Sequence, residues 1–203
     1  MAGLPHFKNS TAGPARYEPV YLNQFEVIIT PPGAISGKAG FKDNLTLEHV
    51  KTVGPLPELA GNSGGALITQ KYKFAERAFA AAKPTTTLHK FIITFELNLN
   101  NTNDNYIYNA FRAWADLIYN PMTGQQGLKV DYAGATANPA TVQVTMFNRT
   151  GAIFREYVFS PVFLDTTKLT ENTLDYGAEG QTSIATLSVP FVADRYVETR
   201  VGQ

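Results

Sequence analysis

Residues 90–99 read KFIITFELNL, and this stretch decides the fold. Phe91, Ile93, Phe95, Leu97 and Leu99 fall on one side of an extended chain, while Lys90, Thr94, Glu96 and Asn98 fall on the other. That alternation predicts an antiparallel strand with one face buried and one face wet. Tyr21–Thr30 (YLNQFEVIIT) carries the same signature, with Phe25, Val27 and Ile29 on the apolar face. Further strands are expected at Leu45–Val53, Leu67–Phe74, Thr141–Phe147, Ile153–Leu164 and Thr182–Val197. In the last of these Ala185, Leu187, Val189, Phe191 and Ala193 oppose Thr182, Thr186, Ser188 and Asp194. Pro161 and Pro190 each remove a ladder donor, so they mark a bulge, a bend or an unpaired edge position.

One helix interrupts the strands. Ile107, Ala110, Phe111, Trp114, Leu117 and Ile118 recur at helical spacing between Asp104 and Tyr119. Asn103 or Asp104 can cap its start, and Asn120-Pro121 followed by Gly124 ends it. The packing face is Ile107, Phe111, Trp114 and Ile118, a core-packing stripe rather than a cofactor box. Residues 75–88 are ambiguous, since their alanines suit a short helix but Pro84 and the threonines do not. Residues 1–19 have the composition of an arm, and 20–203 are expected to form one domain with loop insertions at 31–44 and 55–66.

The bulk numbers narrow the function. In 203 residues there are 17 Lys plus Arg and 17 Asp plus Glu, so net charge does not point to a dedicated nucleic-acid binder. Only 17% of residues are charged, a thin coat for a free monomer, and near-zero net charge favours association. Without cysteine there is neither a disulfide framework nor a thiolate metal site. No apolar run approaches the roughly 18 residues of a membrane span, no signal-peptide core is visible, and a cytosolic product is expected. The Asn148-Arg149-Thr150 sequon is then a chance match.

Gly61-Asn62-Ser63-Gly64-Gly65 fits the pattern of a hydrolase nucleophile elbow. An elbow needs a strand before its serine and a helix after it. Here GPLPELA precedes and a strand follows, and only His6 and His49 lie upstream. The stretch is a flexible loop, and no catalytic residue is assigned. His6, His49 and His89 show no metal-ligand spacing, and no Gly-rich phosphate loop follows a strand, so neither metal nor cofactor is expected.

Taken in order, these segments resemble a family, the tail-tube proteins of contractile-tailed phages, shared with the inner-tube subunits of contractile injection systems and type VI secretion. Asn23, Phe25, Val27 and Ile29 match its opening strand, and LEHVKTVGPLPE its Leu-Pro turn. KFIITFELNLNN followed by DNYIYNAFRAWADLIYNPMTG resembles its strand and helix, with Phe111 and Trp114 at the aromatic positions. Residues 142–198 resemble its closing portion. The 1–19 arm and 31–44 insert exceed a minimal subunit.

The resemblance implies a mainly β, antiparallel barrel or sandwich-like subunit with one flanking helix. Its sheets would close a larger barrel in a homohexameric ring, and rings would stack helically into a hollow tube in a virion tail assembled in the host cytoplasm. Implied partners are other copies, sheath protein, baseplate and tail-terminator proteins, a tape-measure protein, and weakly held DNA or protein cargo; no membrane is involved. Lys90, Thr94, Glu96, Thr182, Thr186 and Ser188 are the expected lumen lining, and Gly61, Ser63, Gly64 and Gly65 an inter-ring loop. A ligand-binding β-barrel is the other non-enzymatic class. A fluorophosphonate probe is expected to leave Ser63 unlabelled; labelling would establish the hydrolase instead.

Overall fold

The computed structural model describes residues 23–38, 41, 50–57, 68–79, 88–97, 106–148, 150–168 and 186–200. Its frame is two four-stranded antiparallel sheets. The first, sheet A, runs β1 (Phe25–Thr30), β10 (Thr141–Phe147), β11 (Ile153–Phe159), β14 (Tyr196–Arg200). The second, sheet B, runs β12 (Val162–Leu164), β13 (Thr186–Ala193), β5 (His89–Glu96), β2 (Val50–Gly54). The mainly β, antiparallel class is as expected. Among the described residues the sheets form a sandwich and neither closes into a barrel within the chain.

The alternation in β5 dictates how the sheets meet. Phe91, Ile93 and Phe95 are buried, and in register beside them stand Phe191, Val189 and Leu187 of β13. Sheet A offers Val27 and Ile29 from β1, Val142 and Val144 from β10, and Tyr157 and Phe159 from β11. Phe91 stacks on Phe191 at 5.4 Å and reaches across to Phe159 at 4.5 Å between ring centroids.

Helix α1 (Tyr106–Ile118) covers part of the same apolar surface. Phe111 lies 5.0 Å from Phe95, and Trp114 lies 5.9 Å from Phe191. Ile107, Phe111 and Trp114 are buried and Ile118 is half-buried, which is the stripe its periodicity predicts. The N-cap candidates at 103 and 104 lie outside the described residues. The helix ends as expected: the Asn120 carbonyl accepts from Gly124 N at 2.8 Å, and its side-chain Oδ1 accepts from Met122 N at 2.9 Å.

Several expectations are corrected. Residues 153–164 and 182–197 are not single strands. The chain leaves sheet A after β11 and enters sheet B at β12, then returns between β13 and β14. The two crossings lie side by side, with Ser160 N donating to Arg195 O at 3.0 Å and Asp194 N to Pro161 O at 3.2 Å. Pro161 thus marks a bend. Pro190 sits inside β13 with its carbonyl accepting from Asp165 N. Its nitrogen points to the same side, just beyond the end of β12, where no ladder donor is needed.

Residues 75–79 are strand rather than helix. They form β4 (Ala75–Phe79), which pairs with β3 (Ile68–Tyr72) in a hairpin separate from both sheets, with side chains from Thr69 to Ala78 exposed. The 31–44 insert is not wholly a surface loop, because Ile35 and Phe41 enter the core and Phe41 sits 5.4 Å from Phe111.

A second helix was not expected. Between α1 and β10 come the hairpin β6 (Tyr119–Asn120) and β7 (Gln125–Gln126), α2 (Lys129–Ala133), and the hairpin β8 (Gly134–Ala135) and β9 (Asn138–Pro139). The excursion is tied down by Trp114, whose Nε1 donates to the Tyr132 carbonyl at 2.8 Å. Gly127 passes so close to Leu117 that a Cβ would meet its carbonyl oxygen at 1.9 Å. Trp114→Phe should therefore lower stability by about 1–3 kcal/mol, because it orphans a carbonyl beside the core. Tyr108→Ala on the exposed side of α1 should cost within about 0.5 kcal/mol. Urea melts followed by circular dichroism check both.

Candidate functional site

Once the odd-numbered side of β5 is committed to the core, its even-numbered side must face outward together with the matching side of β13. Lys90, Thr94 and Glu96 share this face with Thr186 and Ser188. Five of the six residues expected as lining are thereby brought together. Thr182 lies outside the described residues, as does the loop of Gly61, Ser63, Gly64 and Gly65.

The centre of the face is a row of hydroxyls. Thr94 stands opposite Thr52 of β2 on one side and Ser188 of β13 on the other. The Thr94 and Ser188 hydroxyl oxygens are 3.3 Å apart. The charges flank this row and are paired. Lys51 of β2 reaches Glu96 at 3.4 Å, and Lys90 reaches Asp165, just after β12, at 3.5 Å. Lys51 and Asp165 were not anticipated. Their pairing depends on strand register, which alternation within a single segment does not reveal.

Asp165 is the most constrained of these groups, with its side chain 11% exposed. The Thr167 hydroxyl donates to it, with further help from the Lys90 charge, and together they hold its pKa below the ordinary carboxylate value although burial acts in the opposite direction. The Thr167 amide donates to the same oxygen at 3.3 Å.

The face is not polar throughout. Ile92 is 45% exposed on it, while Pro190 and Val192 on the same side are buried, so the face is neither polar throughout nor open along its whole length. The outer side of sheet A is different in kind. Glu26, Thr145 and Glu156 form a row in register, and no lysine or arginine accompanies them among the described residues. Gln143 donates a hydrogen bond to Glu156 there without neutralising its charge.

No described group has the arrangement of a catalytic or metal site. Among the described residues no three of His, Asp and Glu cluster as ligands. His89 packs edge-on to Tyr196 at 4.4 Å, and burial lowers its pKa, which favours the neutral imidazole. Asn148 uses its side-chain oxygen to accept from Thr150 N and Ala152 N in a turn. No described helix is long and apolar enough to cross a membrane.

No protein-family profile matches the sequence, and no curated protein matches it. Solved structures do. One is a chain of the anti-feeding prophage cap, the tube-terminating cap, at a TM-score of 0.51 and 14% identity over 92% of this chain and 95% of the other. The fold is one found in contractile injection systems. A chain of the PVC sheath–tube complex in the extended state matches at 0.51 and 13% identity, covering 92% and 95%. A chain of the PVC sheath/tube terminator matches at 0.51 and 13%, covering 91% and 99%.

The Asp165 geometry has a pH signature. A carboxylate with a lowered folded pKa stabilises the fold above its unfolded value of about 3.9, and that contribution disappears as pH falls through the folded value. Asp165→Ala should cost about 1.5–3 kcal/mol at pH 7, the range for hydrogen bonds to a charged group. The difference from the parent should shrink as pH drops below about 4. Urea melts across that range measure it; a difference independent of pH would contradict the assignment.

Proposed function

We propose that this chain is a non-enzymatic structural subunit of the tube of a contractile tail. In this reading copies form a ring, the outer face of sheet B lines the channel, and rings stack into a hollow conduit. The observation that carries it is the charge-paired hydroxyl face of β2, β5 and β13, on a fold shared with chains of injection-system tube and terminator assemblies.

The physics of a conduit favours this face over its rival. A channel that passes a polymer must be wet, must not bind tightly and must not repel. Lys51–Glu96 and Lys90–Asp165 each cancel locally, so a phosphate backbone or a charged protein meets little net field. The Glu26 and Glu156 row on sheet A would repel a nucleic acid and serves better as outer or lateral surface. Ring formation uses a head-to-tail contact that closes, and stacking uses a second contact that propagates. The β3–β4 hairpin suits either contact. Two isolated strands are marginal in water, yet this hairpin exposes its side chains and leaves Phe74 91% exposed at its turn.

The same physics serves a phage tail delivering DNA and an injection or type VI machine delivering protein effectors. The proposed setting is the phage tail, with DNA as cargo and sheath, baseplate, terminator and tape-measure proteins as partners. A second reading places this chain in the terminating ring of such a tube; it is favoured by the cap and terminator assemblies among the similar structures.

Negative-stain electron microscopy of the concentrated protein should show rings or stacked tubes with an open centre. Because the chain has no cysteine, Thr94→Cys and Val197→Cys each provide a single labelling site. In assembled tubes a maleimide too bulky for the channel should modify Val197→Cys readily and Thr94→Cys at least about tenfold more slowly, a ratio that collapses on disassembly. Equal rates in tubes would remove sheet B from the channel.

A further inference from the structure

The two crossings between the sheets create a feature that the conduit reading does not use. Where β11 passes to β12 and β13 passes to β14, the chain is tied by the Ser160–Arg195 and Asp194–Pro161 backbone bonds. Helix α2 and the β8–β9 hairpin, together with Pro161 and Arg195 of this corner, line an open pocket of about 250 Å³. Its walls include Ala133, Pro139 and Pro161, with Val130 on the α2 side. Gly134 turns the chain there with φ +80°, and an added Cβ would lie 2.6 Å from the Asn138 carbonyl oxygen. The part of the wall made by Ala133, Gly134, Pro139 and Pro161 is therefore set by backbone and short, stiff side chains and needs little reorganisation to receive a ligand.

Two charged residues line the pocket, Lys129 and Arg195, and both are cationic. Lys129 is already engaged, paired with Asp194 and set 5.6 Å from the Phe163 ring centroid. Arg195 is exposed and makes no ion pair among the described residues. Val130 in the lining is 51% exposed, and Leu128, one residue before Lys129, is 70% exposed. A small pocket with a guanidinium uncommitted among the described residues, apolar walls and exposed apolar side chains nearby is complementary to a carboxylate side chain flanked by an aliphatic one.

We propose that this corner pocket docks an acidic, leucine-bearing peptide segment of a partner protein, with Arg195 binding the carboxylate and Leu128 and Val130 packing on the aliphatic neighbour. A nucleic acid is the poorer fit. Backbone binding needs a row of free cations, whereas the pocket lining offers two, and among the described residues Asp194 already pairs with Lys129. The site stands apart from the face of Thr94 and Ser188, so its fate does not depend on which face lines a channel.

The test uses the full-length chain and fluorescence anisotropy with a fluorescein-labelled Gly-Leu-Glu-Leu-Asp-Gly peptide, compared with the same peptide carrying lysines in place of both acids. The acidic peptide should saturate, and the lysine peptide should not bind. Arg195→Glu and Val130→Asp, checked for folding by circular dichroism, should each weaken binding by about tenfold or more, while Lys71→Glu on the distant β3–β4 hairpin should leave it unchanged. A benzophenone in the acidic peptide should crosslink to residues 128–139 or to Arg195. Absence of saturable binding, equal binding of the lysine peptide or undiminished binding by Arg195→Glu would each overturn the proposal. So would tighter binding of a short DNA duplex that Arg195→Glu abolishes.

Discussion

Phe91 of β5 lies against Phe191 of its own sheet and Phe159 of the other, and that three-ring contact joins the sandwich. Through Phe191 it reaches Trp114 and Phe111 of α1, so both sheets and the helix converge on one aromatic cluster. Large rings carry much of the apolar area in such a core, and their offset and edge-on geometries fix relative orientation as well as burial. The commitment has a consequence on the reverse side. A strand has two faces and a period of two, so burying Phe91, Ile93 and Phe95 obliges Lys90, Ile92, Thr94 and Glu96 to meet water or another surface.

What was legible in the sequence follows from this. β5 and α1 each repeat their period several times, and the structure places their apolar residues in the core as the pattern predicts. The polar residues Lys90, Thr94, Glu96, Thr186 and Ser188 were legible for the same reason. Their partners Lys51 and Asp165 were not, since pairing between distant strands is a property of register. Residues 119–140 gave no warning of structure, because strands of two residues complete no period. Ile35 and Phe41 were concealed by the prolines and glycines around them, which signal a loop without excluding one that packs inward.

The corner was misread for a subtler reason. Residues 153–164 and 182–197 each read as one apolar-rich run, but the inward positions change phase at the crossings, from Tyr157 and Phe159 to Val162 and Leu164, and from Val189, Phe191 and Ala193 to Tyr196. Pro161 was the visible cue, and the backbone bonds from Asp194 to Pro161 and from Ser160 to Arg195 show how two such changes support each other. This lets a short chain build two sheets with few separate connections. It also explains how a rigid pocket arises at that point rather than along a strand.

The functional account rests on one orientation: the outer face of β5 and β13 turned toward an axis that copies of the chain surround. In the proposed reading the charge pairs suit that face to passage, and the fold is one also found in chains of contractile injection systems. A cryo-EM reconstruction of the assembled protein tests it most directly, by measuring how far each sheet lies from the symmetry axis. The account predicts Thr94 and Ser188 at the channel wall, with α1 and sheet A at larger radius. A map with α1, or the Glu26 and Glu156 row, at the wall and β5 turned outward would contradict it.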